Sequence, residues 1–150
     1  MDFDSWINIP SDLRDQISEA EEYVMERESL CQRTTINYAS ERVQISKTNN
    51  IENNILELIE ARKKVDRLYD EYFESAEELR AFMYEVLPSK QADILDWRYC
   101  HVMPVEWIAE RKKMTKQGVY QACHRAMINL KKEYYAKSDV ITNSIKIVDV

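Results

Sequence analysis

Cys100-His101 and Cys123-His124 are the pairs that first suggest chemistry, because thiolate and imidazole are common zinc ligands. Adjacent residues on a helix point about 100° apart, so neither pair can hold one ion together. The third cysteine, Cys31, stands alone, and no C-x-x-C spacing occurs. The sequence therefore predicts free packing thiols in a reducing, cytoplasmic compartment, with no metal or other cofactor. Glutamates crowd the stretch 52–85, but they fall on the outer face of a predicted long helix. No nucleophile stands in a pattern that matches it to a base. The single glycine, Gly118, excludes a Gly-rich phosphate cradle. The expectation is a chain that is not an enzyme.

What remains is a cluster of hydrogen-bond donors. Arg111, Lys112, Lys113, Lys116, Arg125, Lys131 and Lys132 fall between 111 and 132, with no acid among them. Thr115 is a good N-cap for a helix that starts at Lys116. On that helix Val119, Ala122, Ala126 and Leu130 share one face, which is predicted to be buried. Gln117, Gln121 and His124 lie opposite, with Tyr120 beside them and Lys116 and Arg125 on the flanks. Gln, Lys and Arg match base edges in a major groove, and Tyr reaches a phosphate or a thymine methyl. The expected base readers are Lys116, Gln117, Tyr120 and Gln121. The expected phosphate contacts are Arg111, Lys112, Lys113, Thr115, His124 and Arg125. The expected partner is double-stranded DNA.

Other elements must hold that face in place. A short helix, Val105–Lys112, is predicted with Pro104 at its first position and Val105, Ile108 and Ala109 turned inward. Trp107 reads as a partly buried packing residue. The turn Lys112-Lys113-Met114 has one apolar plug, Met114. Met103 to Lys132 thus reads as a helix-turn-helix whose second helix enters the groove. Before it, Pro88 should end one helix and Ser89 cap the next, with Ala92, Ile94, Leu95, Trp97 and Tyr99 placed for burial across 90–101.

The longest regular signal lies upstream. Positions 51, 55, 58, 62, 65, 69, 72, 76, 79, 83 and 86 alternate steps of four and three and are apolar or aromatic except for Arg62. That is a heptad seam. It either packs on the first helices of the same chain or pairs two chains, and its unbroken length favours pairing. Arg62 sets the register or faces solvent. Upstream of the seam, Ser11 is the expected cap of a first helix with the stripe Leu13, Ile17, Ala20 and Val24. The pattern loosens at Thr34-Thr35, and Lys47 to Asn50 is the best candidate turn. Trp6, Ile7 and Ile9 precede Pro10 without periodicity and are a candidate dock on the body. The tail 138–150, a β-like mix, reads either as a docking strand or as a disordered end.

One glycine and three prolines in 150 residues argue for an all-α fold, since sheets need glycine turns. The architecture expected is a long helical, coiled-coil-like arm followed by a C-terminal helix-turn-helix. The arm spans 1–87, with the heptad helix at 51–87, and is assigned to assembly, most simply as a homodimer. The DNA-binding part spans 88–136 and the tail 137–150. No apolar run is long enough for a membrane helix, and the acidic start Met1-Asp2-Phe3-Asp4 argues against a signal peptide. The net charge of −6 looks wrong for a DNA partner until it is divided. Residues 1–87 hold 10 basic and 20 acidic side chains, whereas 88–150 hold 11 basic and 7 acidic. A basic patch on an otherwise acidic chain suits a reader better than a nonspecific polycation.

Leu87 to Lys132 resembles the promoter-reading region 4 of bacterial sigma-70-type factors. Ile94-Leu95-Asp96-Trp97-Arg98-Tyr99 looks like that family's V-L-x-L-R-Y, and Val105 to Glu110 like its L-E-E-I-A-E. Thr115 to Gln121 looks like T-R-E-R-V-R-Q, and Arg125 to Lys131 like K-A-L-x-K-L-R. Trp107, Gly118 and Tyr120 replace charged family residues, so the −35 specificity of that family does not carry over. No promoter-melting region is visible. An acidic helical arm followed by this unit is more similar to small phage-encoded regulators of the ArpU/RinA type. That resemblance implies a transcriptional activator of late genes acting on promoter DNA, with host RNA polymerase as a further partner. Two other readings fit a helical arm joined to such a unit. One is a small terminase-like packaging subunit; the other is a protein-interaction module that binds RNA polymerase.

Overall fold

The computed structural model describes residues 2–40 and 45–148, with side chains described for 2–33 and 50–138. The fold is all-α, and no strand occurs among the described residues. Six helices follow in order: α1 (Phe3–Ile7), α2 (Ile9–Ser40), α3 (Ile45–Val86), α4 (Ser89–Leu95), α5 (Val105–Lys112) and α6 (Lys116–Val148). A π-helical turn, Asp96–Cys100, continues α4. The chain divides into two units, one of residues 12–72 and one of residues 1–11 with 73–150. This division lies inside α3, between residues 72 and 73, and residues 1–11 group with the C-terminal part.

The unit 12–72 is an antiparallel pair of helices. Side-chain pairs among the described residues tie α2 to α3 in opposite chain order. Arg14 lies over the Tyr72 ring at 5.6 Å, and the Tyr69 hydroxyl donates to Glu21 at 2.5 Å. Arg62 meets Glu28 at 2.9 Å, and Arg27 meets Glu57 at 2.6 Å. Leu13, Ile17 and Ala20 of α2 are buried, as are Ala61, Leu68 and Tyr72 of α3. Seam positions Arg62, Tyr69 and Tyr72 thus meet α2 within the chain, whereas Ala61 and Leu68 lie off the seam and Ile55, on it, is 46% exposed. The seam's tyrosines carry hydroxyls that need polar company, and Glu21 supplies it to Tyr69. Arg62 both faces solvent and pairs with Glu28, an exposed contact worth at most about 1 kcal/mol.

Helix boundaries depart from expectation in a consistent direction. α2 starts at Ile9, so Ser11 sits in its first turn instead of capping it, and Pro10 occupies a position where a missing N–H costs nothing. Thr34 and Thr35 do not interrupt α2, and Lys47 to Asn50 lie within α3. The connection at 41–44 lies outside the described residues. Helix α6 carries 138–148 as well, in place of the expected strand or loose tail. Weak helix formers cost only tenths of a kcal/mol each, and neither Gly nor Pro intervenes to stop these helices.

In the other unit, Leu79, Met83 and Leu87 form a core with Ala92, Ile94 and Leu95, Val105 and Ile108, and Val119, Ala126 and Leu130. α4 and α5 both pack on α6. Short α1 docks here too. Phe3 meets Tyr134 edge-on at 5.4 Å, and Trp6 stacks on Tyr134 at 4.9 Å and meets Phe82 edge-on at 5.4 Å. Pro88 and Pro104 occupy the cap positions of α4 and α5, so Ser89 and Val105 are first helical residues, a shift of one from the expected caps.

Candidate nucleic-acid interface

α5 and α6 meet through three residues, and their geometry follows from local chemistry. The inward stripe of α5 is Val105, Ile108 and Ala109, as its spacing requires. The helix stops at Lys113, which takes a left-handed conformation (φ 54°, ψ 45°). The Met114 N–H reaches back to Ala109 O at 2.9 Å and the Lys113 N–H to Glu110 O, which closes the helix end as a Schellman motif. Thr115 then caps α6: its Oγ1 accepts the Gly118 N–H at 3.0 Å. A Cβ on Gly118 would stand 3.2 Å from that Oγ1 and 3.4 Å from Met114 Cε. The glycine therefore lets the cap and the methionine close over the helix start. Met114 is 38% exposed, so it lies on Gly118 instead of plugging the core.

The buried face of α6 is Val119, Cys123, Ala126 and Leu130, with Ala122 half-buried where full burial was expected. The opposite face carries Lys116, Gln117, Tyr120, Gln121, His124 and Arg125, all exposed. Thr115, Lys113 and Arg111 are exposed beside it, and Lys112 is half-buried. The ten expected contact residues thus lie on α6, the turn and the end of α5.

Three partners of these residues were not foreseen. Arg111 lies over the Trp107 ring at 4.9 Å, and Lys112 Nζ lies 4.9 Å over Trp97. The two indoles meet edge-to-face at 5.3 Å and 80°, so one aromatic pair carries two adjacent cations. The i, i+4 spacing of Trp107 and Arg111 was a readable signal for the first contact. The second joins residues from separate elements and had none. Lys116 Nζ lies 3.3 Å from Glu106 Oε1, across from α6 to α5. A hydrogen bond to its own backbone, then the bond and charge of Lys116, hold the Glu106 carboxyl below the usual carboxylate range.

No family model, curated protein or solved structure matches the chain.

The π-helical turn beneath this surface explains a further departure. His101 N–H bonds Asp96 O at 3.0 Å, one residue longer than an α-helical step, and that phase shift turns Asp96 and Cys100 inward. Trp97, Arg98 and Tyr99 are half-buried as a result. Asp96, 7% exposed, accepts from Arg80 Nε of α3 at 3.0 Å, and Arg80 Nη2 lies 2.7 Å from His101 Nε2. This cluster anchors the turn to α3. Burial, then the Asp96 charge, pushes the Cys100 thiol up to about 12; burial also raises Cys123. Both therefore stay protonated near neutral pH. Among the described residues no three His, Cys, Asp or Glu side chains form a group able to hold a metal ion. Nor does any described helix have the length and apolarity to cross a membrane.

Proposed function

We propose that the chain is a sequence-specific double-stranded DNA-binding regulator of transcription. α5 and α6 act as a helix-turn-helix of the sigma region 4 kind, and the first turns of α6 lie in the major groove. The observation that carries this reading is one continuous exposed face, Lys116 to Arg125, capped by Thr115 and flanked by Arg111 to Lys113. Lys116, Gln117, Tyr120 and Gln121 read bases. Arg111, Lys112, Lys113, Thr115, His124 and Arg125 hold phosphates, and Thr115 keeps its hydroxyl proton to donate while its oxygen caps the helix. The indole pair supports the phosphate role, because cations laid on rings lose less freedom when they bind. The regulator is of the phage late-gene activator type, and host RNA polymerase is its second partner. No catalytic step is part of this reading.

Lys112→Ala with Lys113→Ala tests it. Two lost phosphate contacts should weaken every duplex alike and reduce the slope of log affinity against log salt by roughly 1.8. Binding equal to wild type at all salt concentrations would remove these residues from the interface.

A further inference from the structure

The unit 12–72 carries an open groove of about 650 Å³ between α2 and α3. Its apolar lining includes Tyr23 and Leu56, which are 42% and 59% exposed. Along α3 its rim is formed by Glu57, Glu60, Lys64 and Arg67. These four advance by three, four and three residues, so they share one stripe of the helix. Their charges run negative, negative, positive, positive. Read backwards, the same stripe runs positive, positive, negative, negative. An antiparallel copy of α3 centred at the level of Arg62 therefore sets Glu57 against Arg67 and Glu60 against Lys64, each pair made twice. Arg62 itself pairs with Glu28, about 180° around the helix from the stripe's centre, so no like charges meet on the axis.

The groove's rim residues also have charge to spare. Lys64 and Arg67 form no ion pair among the described residues. Glu60 has only Lys63 at 3.6 Å, its i+3 neighbour, while Glu57 is held by Arg27 at 2.6 Å. The Glu60–Lys64 pair thus has most to gain from a partner. The charge order of this α3 stripe is its own complement under a twofold rotation, as an isologous interface requires, while Glu19 of α2 lines the groove off the stripe.

We propose that a second copy of this chain docks antiparallel in this groove, α3 against α3, about a twofold axis at the level of Arg62. The exposed Tyr23 and Leu56 of both copies supply the apolar contact, and the charge stripe sets direction and register. Tyr69 and Tyr72 of the heptad seam keep their partners on α2 of the same chain. This dimer is independent of what the α6 face binds.

Charge reversal in the full-length chain tests the proposal, with mass in solution as the readout and circular dichroism to verify helicity. Wild type should be a dimer. Glu60→Lys and Lys64→Glu each turn two attractions into two repulsions, and each should raise the dimer Kd roughly 10- to 100-fold. The double variant Glu60→Lys/Lys64→Glu should dimerise nearly as well as wild type. Mixing the two single variants should form a heterodimer, because every pair is then opposite in sign; a misfolded variant cannot do this. A monomeric or higher-order wild type, single variants that dimerise as wild type does, or a mixture that stays monomeric would each overturn the proposal.

Discussion

Glu106 is the residue whose charge most constrains the proposed interface. It lies 3.3 Å from Lys116, the first residue of α6, and its carboxyl is held below the ordinary range. Lys116 must leave that carboxylate to reach a base or a phosphate. The ion pair thus opposes loose binding, where no well-placed acceptor repays the exchange. Glu106→Gln frees Lys116, and affinity for random duplex should rise several-fold with a steeper salt dependence, by up to about one phosphate equivalent. Glu110→Gln removes the same formal charge from α5 and controls for net charge. Fluorescence anisotropy across a salt series separates the two, and equal effects would mean that Glu106 acts only through bulk charge. Because the carboxyl titrates low, the pair persists above the ordinary carboxylate pKa and is lost as pH falls through its depressed value.

At the scale of elements, the π-helical turn Asp96–Cys100 positions α5 and stores a pH dependence. The Cys100 thiol, 1% exposed, is pushed up from 9.0 to about 12. A raised pKa favours the protonated fold. Its stabilisation is complete below pH 9.0 and is lost as pH rises towards 12, because the unfolded chain releases its proton first. Tyr84, raised to about 12 by burial and its hydrogen bond to Asp93, adds loss in the upper part of that window. Cys100→Ala should cost about 1 kcal/mol at neutral pH through the cavity it leaves. Its melting temperature should fall less steeply than that of wild type above pH 9.0. Parallel melting curves across that range would show that the thiol does not titrate with unfolding.

The elements also show what the residues revealed beforehand. The all-α fold was legible because one glycine and three prolines leave little material for sheet turns. α5 and the start of α6 were legible because Pro104 and Thr115 act on the residues beside them. Helix ends were less so, since Thr34-Thr35 and Lys47 to Asn50 carry weak local preferences that continuous helix overrides. The π turn was hidden because its cause is nonlocal. Asp96 turns inward toward Arg80, sixteen residues earlier in the chain. The docking of α1 was hidden too, for Phe3 and Trp6 find their aromatic partner at Tyr134, more than 120 residues along the chain.

The whole molecule is a study in opposed charges. Residues 1–87 are strongly acidic and 88–150 are basic on balance. The first region repels a polyanion, so the proposed duplex contact is assigned to α5, the turn and α6 alone. A dimer through the α2–α3 groove gives two such faces in one particle. A duplex with two half-sites should then bind more than about tenfold tighter than one with a single half-site, because the second contact is intramolecular. Lys64→Glu should abolish that advantage and leave single-site affinity unchanged. A half-site advantage that survives in monomeric protein would sever assembly from recognition.

The central claim is that the exposed face of α6 reads base sequence, and selection from a randomised duplex pool tests it most directly. Wild type should enrich one motif. Gln117→Ala or Gln121→Ala should each relax it at particular base positions, by about 1–3 kcal/mol of discrimination, and leave the rest of the motif intact. A pool that emerges from wild type without enrichment, or the same motif from all three proteins, would contradict the account.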